Sequence, residues 1–146
     1  MILDILYATQ TGNAEMVAKK MQSLAKSRGF IVNLNEMNYH NMTTFRQLKN
    51  VAIITSTYGN GEVPEMGIDF WTELNSSKNK KNSLNYGLIA LGDRSHEIFC
   101  GAGRAITKKL EELGCKKIIE NLECDGDTEG SYEWSIKFLD SLKFRN

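Results

Sequence analysis

Two runs, Val51-Ala52-Ile53-Ile54 and Leu88-Ile89-Ala90-Leu91, carry no polar side chain. A strand with one wet face alternates apolar and polar residues, so an unbroken apolar run of strand length needs cover on both faces, as a central strand of a parallel sheet has. Parallel neighbours cannot be joined by a tight hairpin and need a crossover, usually a helix. The flanking sequence supplies that alternation. Strands are expected at 2–7, 30–35, 51–57, 87–91 and 117–122 from their apolar and β-branched content. Between them Val17, Met21, Leu24 and Ala25 recur at helical spacing before Gly29. Further helical patterns follow at 66–74, at 102–113 with Gly114 beyond, and at 131–142, with a weak short one at 42–48. Right-handed βαβ crossovers then place helices on both sides of a five-stranded parallel sheet, an α/β fold of three layers.

The 146 residues make one domain, 1–146, large enough to bury roughly two thirds of its extended surface. No apolar stretch reaches the ~20 residues of a membrane span. Met1-Ile2-Leu3-Asp4-Ile5-Leu6 lacks the basic n-region and cleavage site of a signal peptide. Cys100, Cys115 and Cys124 are an odd number with no C-x-x-C pair, which argues against a disulfide framework or zinc site and for a cytoplasmic protein with reduced thiols. Lys and Arg number 18, as do Asp and Glu, so the formal net charge is zero. The basic clusters Lys19-Lys20, 78–81 and Lys116-Lys117 are dispersed and expected on helices, which leaves no continuous stripe for nucleic acid.

Thr9-Gln10-Thr11-Gly12-Asn13, between the first strand and the first helix, is rich in hydroxyl and glycine and contains neither Lys nor Arg. A helix N-terminus presents unpaired N–H groups and about half a positive charge, so it attracts an anion without a cationic side chain. Both the G-x-x-x-x-G-K-[ST] loop of nucleoside triphosphate sites and the G-x-G-x-x-G of dinucleotide sites are absent. The turn therefore suits the monoester phosphate of a mononucleotide, or else is a plain strand-to-helix connection. In a doubly wound sheet the loops after strands one, three and four gather at one carboxyl-end edge. The second of these loops is Ser56-Thr57-Tyr58-Gly59-Asn60-Gly61-Glu62 and the third runs from Gly92-Asp93 to Cys100-Gly101. Together they offer a slot with planar groups on its sides and exposed backbone around its rim.

With these three loops in hand, the chain resembles the short-chain flavodoxins from its first strand to its last helix. Thr9 to Ala14 followed by Glu15, together with Ser56-Thr57-Tyr58-Gly59, is also similar to the MioC-type flavodoxins and the FMN domain of diflavin reductases. Gly92-Asp93-x-Ser95-x-Glu97-x-Phe99-Cys100-Gly101-Ala102 and Asp125-Gly126-Asp127 look like the free bacterial carriers. The resemblance implies a flavodoxin-like three-layer α/β/α sandwich of strand order 2-1-3-4-5, without a long insertion in the fifth strand. It implies FMN as cofactor, its phosphate held by Thr9, Gln10, Thr11, Gly12 and Asn13. Ala14 stands where many free flavodoxins have another threonine. Thr57, Tyr58 and Gly59 would border the ring, with Tyr58 stacked on one face, and Ser56, Asn60 and Gly61 would bind the cofactor beside them. The Gly59 peptide would reorient to accept from N5–H of the reduced flavin, a movement that glycine makes sterically cheap. Asp93, Cys100 and Gly101 would lie along the pyrimidine edge, and Leu91, Gly92, His96 and Phe99 would also bind the cofactor. Cys100 is read as packing beside the flavin, and Trp71 and Trp134 as core.

The implied function is one-electron transfer at low potential between a flavoprotein reductase and electron-accepting enzymes, by a monomeric carrier that meets both transiently and is not itself an enzyme. Acidic residues, among them Glu62, Glu65, Asp69, Asp93, Glu97, Asp125 and Asp127, would disfavour added negative charge on the flavin. The zero net charge implies weaker long-range steering of partners than an acidic flavodoxin has. Two readings compete: a flavin-dependent quinone reductase of the same fold, and an accessory donor of the MioC type serving biotin synthesis. His96 is the main departure, standing where the family's second stacking residue is usually tyrosine. An imidazolium there would favour the reduced anion, and a preference of ~1 kcal/mol corresponds to ~40 mV. The potential is then highest where His96 is protonated and falls as pH rises through its titration. Spectroelectrochemistry from about pH 5.5 to 8.5 checks this: the native low-potential couple should slope more steeply with pH than that of His96→Tyr, and equal slopes would remove the role.

Overall fold

The computed structural model describes residues 1–80, 83–95 and 98–144. Strand β1 (Ile2–Ala8) leads to helix α1 (Asn13–Ser27) and strand β2 (Ile31–Glu36), and a 3₁₀ turn (Met37–Tyr39) and short α2 (Met42–Phe45) lead to β3 (Asn50–Ser56). Helix α3 (Glu65–Ser76), β4 (Asn85–Gly92), α4 (Gly101–Glu112), β5 (Lys116–Lys117), β6 (Leu122–Asp125) and α5 (Ser131–Phe144) complete the chain. The strands pair in parallel in the order β2-β1-β3-β4-β5, with β6 also on β4.

All seven residues of β3 are buried, as the apolar run requires. Their side chains alternate between two cores. Val51 and Ile53 face one, with Phe70 and Leu74 of α3 and Ile106 and Leu110 of α4; Ala52 and Ile54 face the other, with Val17 and Met21 of α1 and Phe138 and Leu139 of α5. Helices α1 and α4 end as the sequence expects. Phe30 N–H reaches back to Ala25 and Gly29 N–H to Lys26, and Cys115 and Gly114 repeat the pattern on Leu110 and Glu111, the paired closure of a Schellman motif. Trp134 is buried and stacks on Phe138 at 5.1 Å, its Nε1–H donating to the Glu120 carbonyl. Trp71 is only partly buried, packed against the first core.

The fifth strand departs from expectation. Instead of one strand over 117–122, two short pieces flank that interval, and Tyr86 and Ile89 of β4 pair with Lys117 and Leu122. Three steps along β4 are thus matched by five along its neighbour, so two residues bulge out of register. Side-chain bonds hold the bulge: Trp134 takes the Glu120 carbonyl, and Asn121 Nδ2 donates to Thr107 Oγ1 at 2.8 Å. Nor do the lysines all ride on helices, since Lys116 and Lys117 form β5 and Lys78 and Lys80 follow the end of α3.

Tyr86, the second residue of β4, has no solvent exposure, and its hydroxyl finds no hydrogen-bond partner among the described residues. Burial pushes its phenol far above the ordinary range, so the group stays neutral. A buried hydroxyl left unpaired costs ~1–3 kcal/mol. Tyr86→Phe should therefore raise stability, by about 1 kcal/mol, in urea unfolding; a loss of that size would show that the hydroxyl is satisfied.

Candidate functional site

The carboxyl ends of β1, β3, β4 and β6 meet at one edge of the sheet, and a loop leaves each of them. After β1, the Gly12 N–H donates to Thr9 Oγ1 at 2.8 Å and closes a tight turn. Gly12, at φ 96°, is the N-cap of α1, and no side chain caps the helix. The N–H groups that start α1 are thus left to solvent or a ligand.

After β3, Ser56 and Thr57 are buried, and Thr57 Oγ1 has no hydrogen-bond partner among the described residues. Tyr58 and Glu62 exchange backbone bonds of 2.8 Å in both directions, which folds 58–62 into a small loop with Asn60 and Gly61 at its tip. Gly59 takes φ 54° there, and the Glu62 carboxylate lies 3.4 Å from where a Cβ would stand. A side chain would be strained at that angle. The Tyr58 ring is 49% exposed, high for an aromatic next to a buried threonine.

The loop after β4 is tied to the loop after β6. Gly126 N–H donates to the Gly92 carbonyl at 2.7 Å, Arg94 N–H to Asp125 Oδ1 at 2.9 Å, and the two side chains form an ion pair at 3.5 Å. Asp93 turns its Oδ1 back to the Ser95 N–H at 2.8 Å. Phe99 lies under two guanidiniums, Arg94 at 4.2 Å and Arg104 at 5.5 Å. The Arg104 fork grips both oxygens of Glu123 and holds that carboxyl below the usual range. Cys100 caps α4 at φ 52° with its side chain fully buried, Sγ 3.7 Å from the Ala90 carbonyl. Burial pushes its thiol up to about 12 and that of Cys124 up to about 11. At neutral pH both are protonated, which leaves them packing groups and not nucleophiles. Gly101 packs against the 58–62 loop, because a Cβ on it would come within 2.7 Å of the Gly61 backbone.

These loops enclose a two-lobed cleft. One lobe, about 380 Å³, is walled by Gln10, Thr11 and Asn13, by Ser56, Thr57 and Gly59, by Leu91, Gly92 and Asp93, and by Gly126 and Asp127. The other, about 350 Å³, lies among Thr9, Gln10, Tyr58, Pro64, Glu65 and Met66. Gln10 borders both, and the consecutive residues Tyr58 and Gly59 divide between them. Eleven of the residues expected from sequence therefore line the cleft. Asn60 and Gly61 stand at the tip of the β3 loop, and Gly12, Phe99, Cys100 and Gly101 support the walls from behind. His96 lies outside the described residues. Gly126 and Asp127 are wall residues beyond the sequence-based set, although the turn Asp125-Gly126-Asp127 signalled a loop at this edge. Glu65 was expected only as one of the acidic residues near the flavin, and Pro64 and Met66 carried no signal.

The donor set fits a phosphate monoester joined to a planar polar ring. A cation-free helix start provides the anion end, and Thr57, a residue of the wall, keeps a buried hydroxyl without a partner among the described residues. Among the described residues no group of three His, Cys, Asp or Glu side chains could hold a metal ion, and no helix is long and apolar enough to cross a membrane.

The family model described as Flavodoxin matches residues 5–137. The sulfite reductase [NADPH] flavoprotein alpha-component of Vibrio parahaemolyticus is 38% identical over 143 residues, covering 97% of this chain and 23% of the relative. That of Shewanella sp. strain MR-4 is 36% identical over 141 residues, 95% of this chain and 23% of the relative. The chain thus spans about a quarter of the length of these relatives. Among solved structures, a flavodoxin of Streptococcus pneumonia TIGR4 superposes with a TM-score of 0.86 at 25% identity, covering 100% of both chains. A short-chain flavodoxin associated with a PDU bacterial microcompartment gives 0.85 at 24% identity, covering 99% of this chain and 98% of the other. Profile, sequence and fold agree over nearly the whole length: the chain belongs to the flavodoxin family.

Proposed function

We propose that this flavodoxin carries single electrons at low potential from a flavoprotein reductase to acceptor enzymes, meeting each transiently at the open rim of the cleft. Its membership of the family makes it an FMN protein of electron transport. Bound FMN supplies the one-electron chemistry, and the protein supplies binding, orientation and electrostatics. The observation that carries the placement of the cofactor is the Thr57 hydroxyl, buried and unpartnered in a wall of the cleft whose far end is the cation-free start of α1.

The N–H groups of the turn from Gln10 to Asn13 hold the phosphate, while Thr9 Oγ1, already engaged by Gly12, shapes the turn. Thr57 and Ser56 bond the polar middle of the cofactor. Tyr58 covers one face of the ring, and an aromatic stack adds about 0.5–1.5 kcal/mol beyond burial. Gly59, free of a Cβ, is the peptide that could turn its carbonyl toward a protonated ring edge if bound FMN were reduced. Asp93 and Asp127 in the wall, with Glu62 and Glu65 beside Tyr58, oppose added negative charge and lower the potential.

A narrower reading follows from the relatives. Identity to the NADPH-linked sulfite reductase flavoproteins, 36–38%, exceeds the 24–25% to the two free flavodoxins described above. The chain would then do the work of that flavodoxin segment, with an NADPH-dependent flavoprotein upstream. With FMN bound, the protein should stay oxidised in NADPH alone and become reduced once a catalytic amount of an NADPH-dependent flavoprotein reductase is added. Reduction by NADPH unaided, with quinone turnover, would favour the quinone reductase instead. Thr57→Val should weaken FMN binding about three- to tenfold, the loss of one hydrogen bond, while the FMN-free protein keeps or gains thermal stability. Fluorescence titration and melting read the two, and unchanged affinity would remove Thr57 from the site.

A further inference from the structure

The segment that follows β2 ties down the far end of the Tyr58 loop through one side chain. Asn38, in the 3₁₀ turn, accepts from the N–H groups of Asp69 and Phe70 at 3.1 Å each, and its Nδ2 donates to the Glu65 carbonyl at 2.9 Å. The orientation of the amide follows from its partners, since two N–H donors can meet only Oδ1 and a carbonyl only Nδ2. All three partners lie in the first half of α3, whose N-cap Pro64 provides no side-chain cap. A packing contact supports the same junction. Met37 Sδ, Val63 Cγ1 and Ala8 Cβ converge on Gly67, each 3.0 to 3.1 Å from where a Cβ would stand.

From Glu65 the path to the cleft is short and made of fixed steps. Pro64 and Val63 are buried, Glu62 is hydrogen-bonded in both directions to Tyr58, and Gly59 follows at once. Glu65 and Pro64 also line the lobe beside Tyr58. We infer that Asn38 is a positioning residue for the Tyr58–Gly59 peptide: through the Glu65 carbonyl it fixes where that peptide stands against the cofactor, and so contributes to FMN retention and to the potential. This rests on the FMN reading above. Asn38 belongs to no motif and lines neither lobe of the cleft.

Two substitutions separate positioning from mere anchoring of the helix. Asn38→Ala removes all three bonds. Asn38→Asp keeps an acceptor for Asp69 and Phe70 but has no donor for the Glu65 carbonyl. If Asn38 only anchors α3, each variant behaves as a core variant of equal melting temperature; if it positions the loop, both variants show a defect beyond that control. Three readouts apply: the rate of FMN release, the reduction potential, and amide hydrogen exchange at Tyr58 and Glu62 in the FMN-free protein. Both variants should release FMN about threefold faster or more, the effect of losing part of one hydrogen bond. Both should also shift the potential and speed exchange at Tyr58 and Glu62 beyond a core variant of equal melting temperature. Values of all three in Asn38→Asp that match this control would overturn the inference, and that variant decides the matter if Asn38→Ala does not fold. Failure of the native protein to bind FMN would instead overturn the FMN reading, with hydrogen exchange still testing whether Asn38 holds the loop.

Discussion

Between β1 and β3 the chain reverses its winding. Helix α1 carries it from β1 to β2 across one face of the sheet, and the 3₁₀ turn and α2 carry it back past β1 to β3 across the other. Parallel strands oblige every loop at the carboxyl edge to lead into a crossover, and where crossovers diverge to opposite faces no element covers the gap. The cleft is the consequence. Much of its wall is backbone, glycine and hydroxyl side chains because the loops after β1, β3 and β4 must turn within a few residues of strands that are largely buried.

That constraint also explains how the site can be both firm and adjustable. Backbone bonds join the β4 loop to the β6 loop, Gly101 braces the β3 loop, and the 58–62 loop closes on itself. Within this frame Gly59 keeps the torsional freedom that its neighbours lack. On the proposed reading, binding would rest on the rigid parts, and Gly59 is the one peptide of the frame free to respond to the cofactor. Neutral donors at the start of α1 can hold a phosphate without a lysine, so the ring keeps an acidic surround that is not neutralised from the phosphate end.

The central strands were legible in the sequence because a run such as Val51 to Ile54 has only one comfortable environment, and Gly29 and Gly114 marked helix ends by a purely local rule. The three loops were legible because glycine, hydroxyl and aromatic residues cluster where backbone must be exposed. The split of the last strand was not, since it depends on Trp134 and Thr107 reaching Glu120 and Asn121 from 14 positions away. Cys100 at φ 52° hides equally well, because nothing in a cysteine announces a left-handed residue. The two arginines over Phe99 are likewise a contact that no local pattern announces. Asn38 is the extreme case, a single polar residue outside every motif whose three bonds exist only once α3 packs beside it.

A stepwise reductive titration of the purified protein with FMN, followed by its visible spectrum, tests the proposed carrier role most directly. Tight binding of one FMN and two resolved one-electron steps are expected, the second at the lower potential because acidic walls oppose the negative charge that the second electron leaves on the ring. Absence of bound flavin, or reduction in a single two-electron step, would contradict that role.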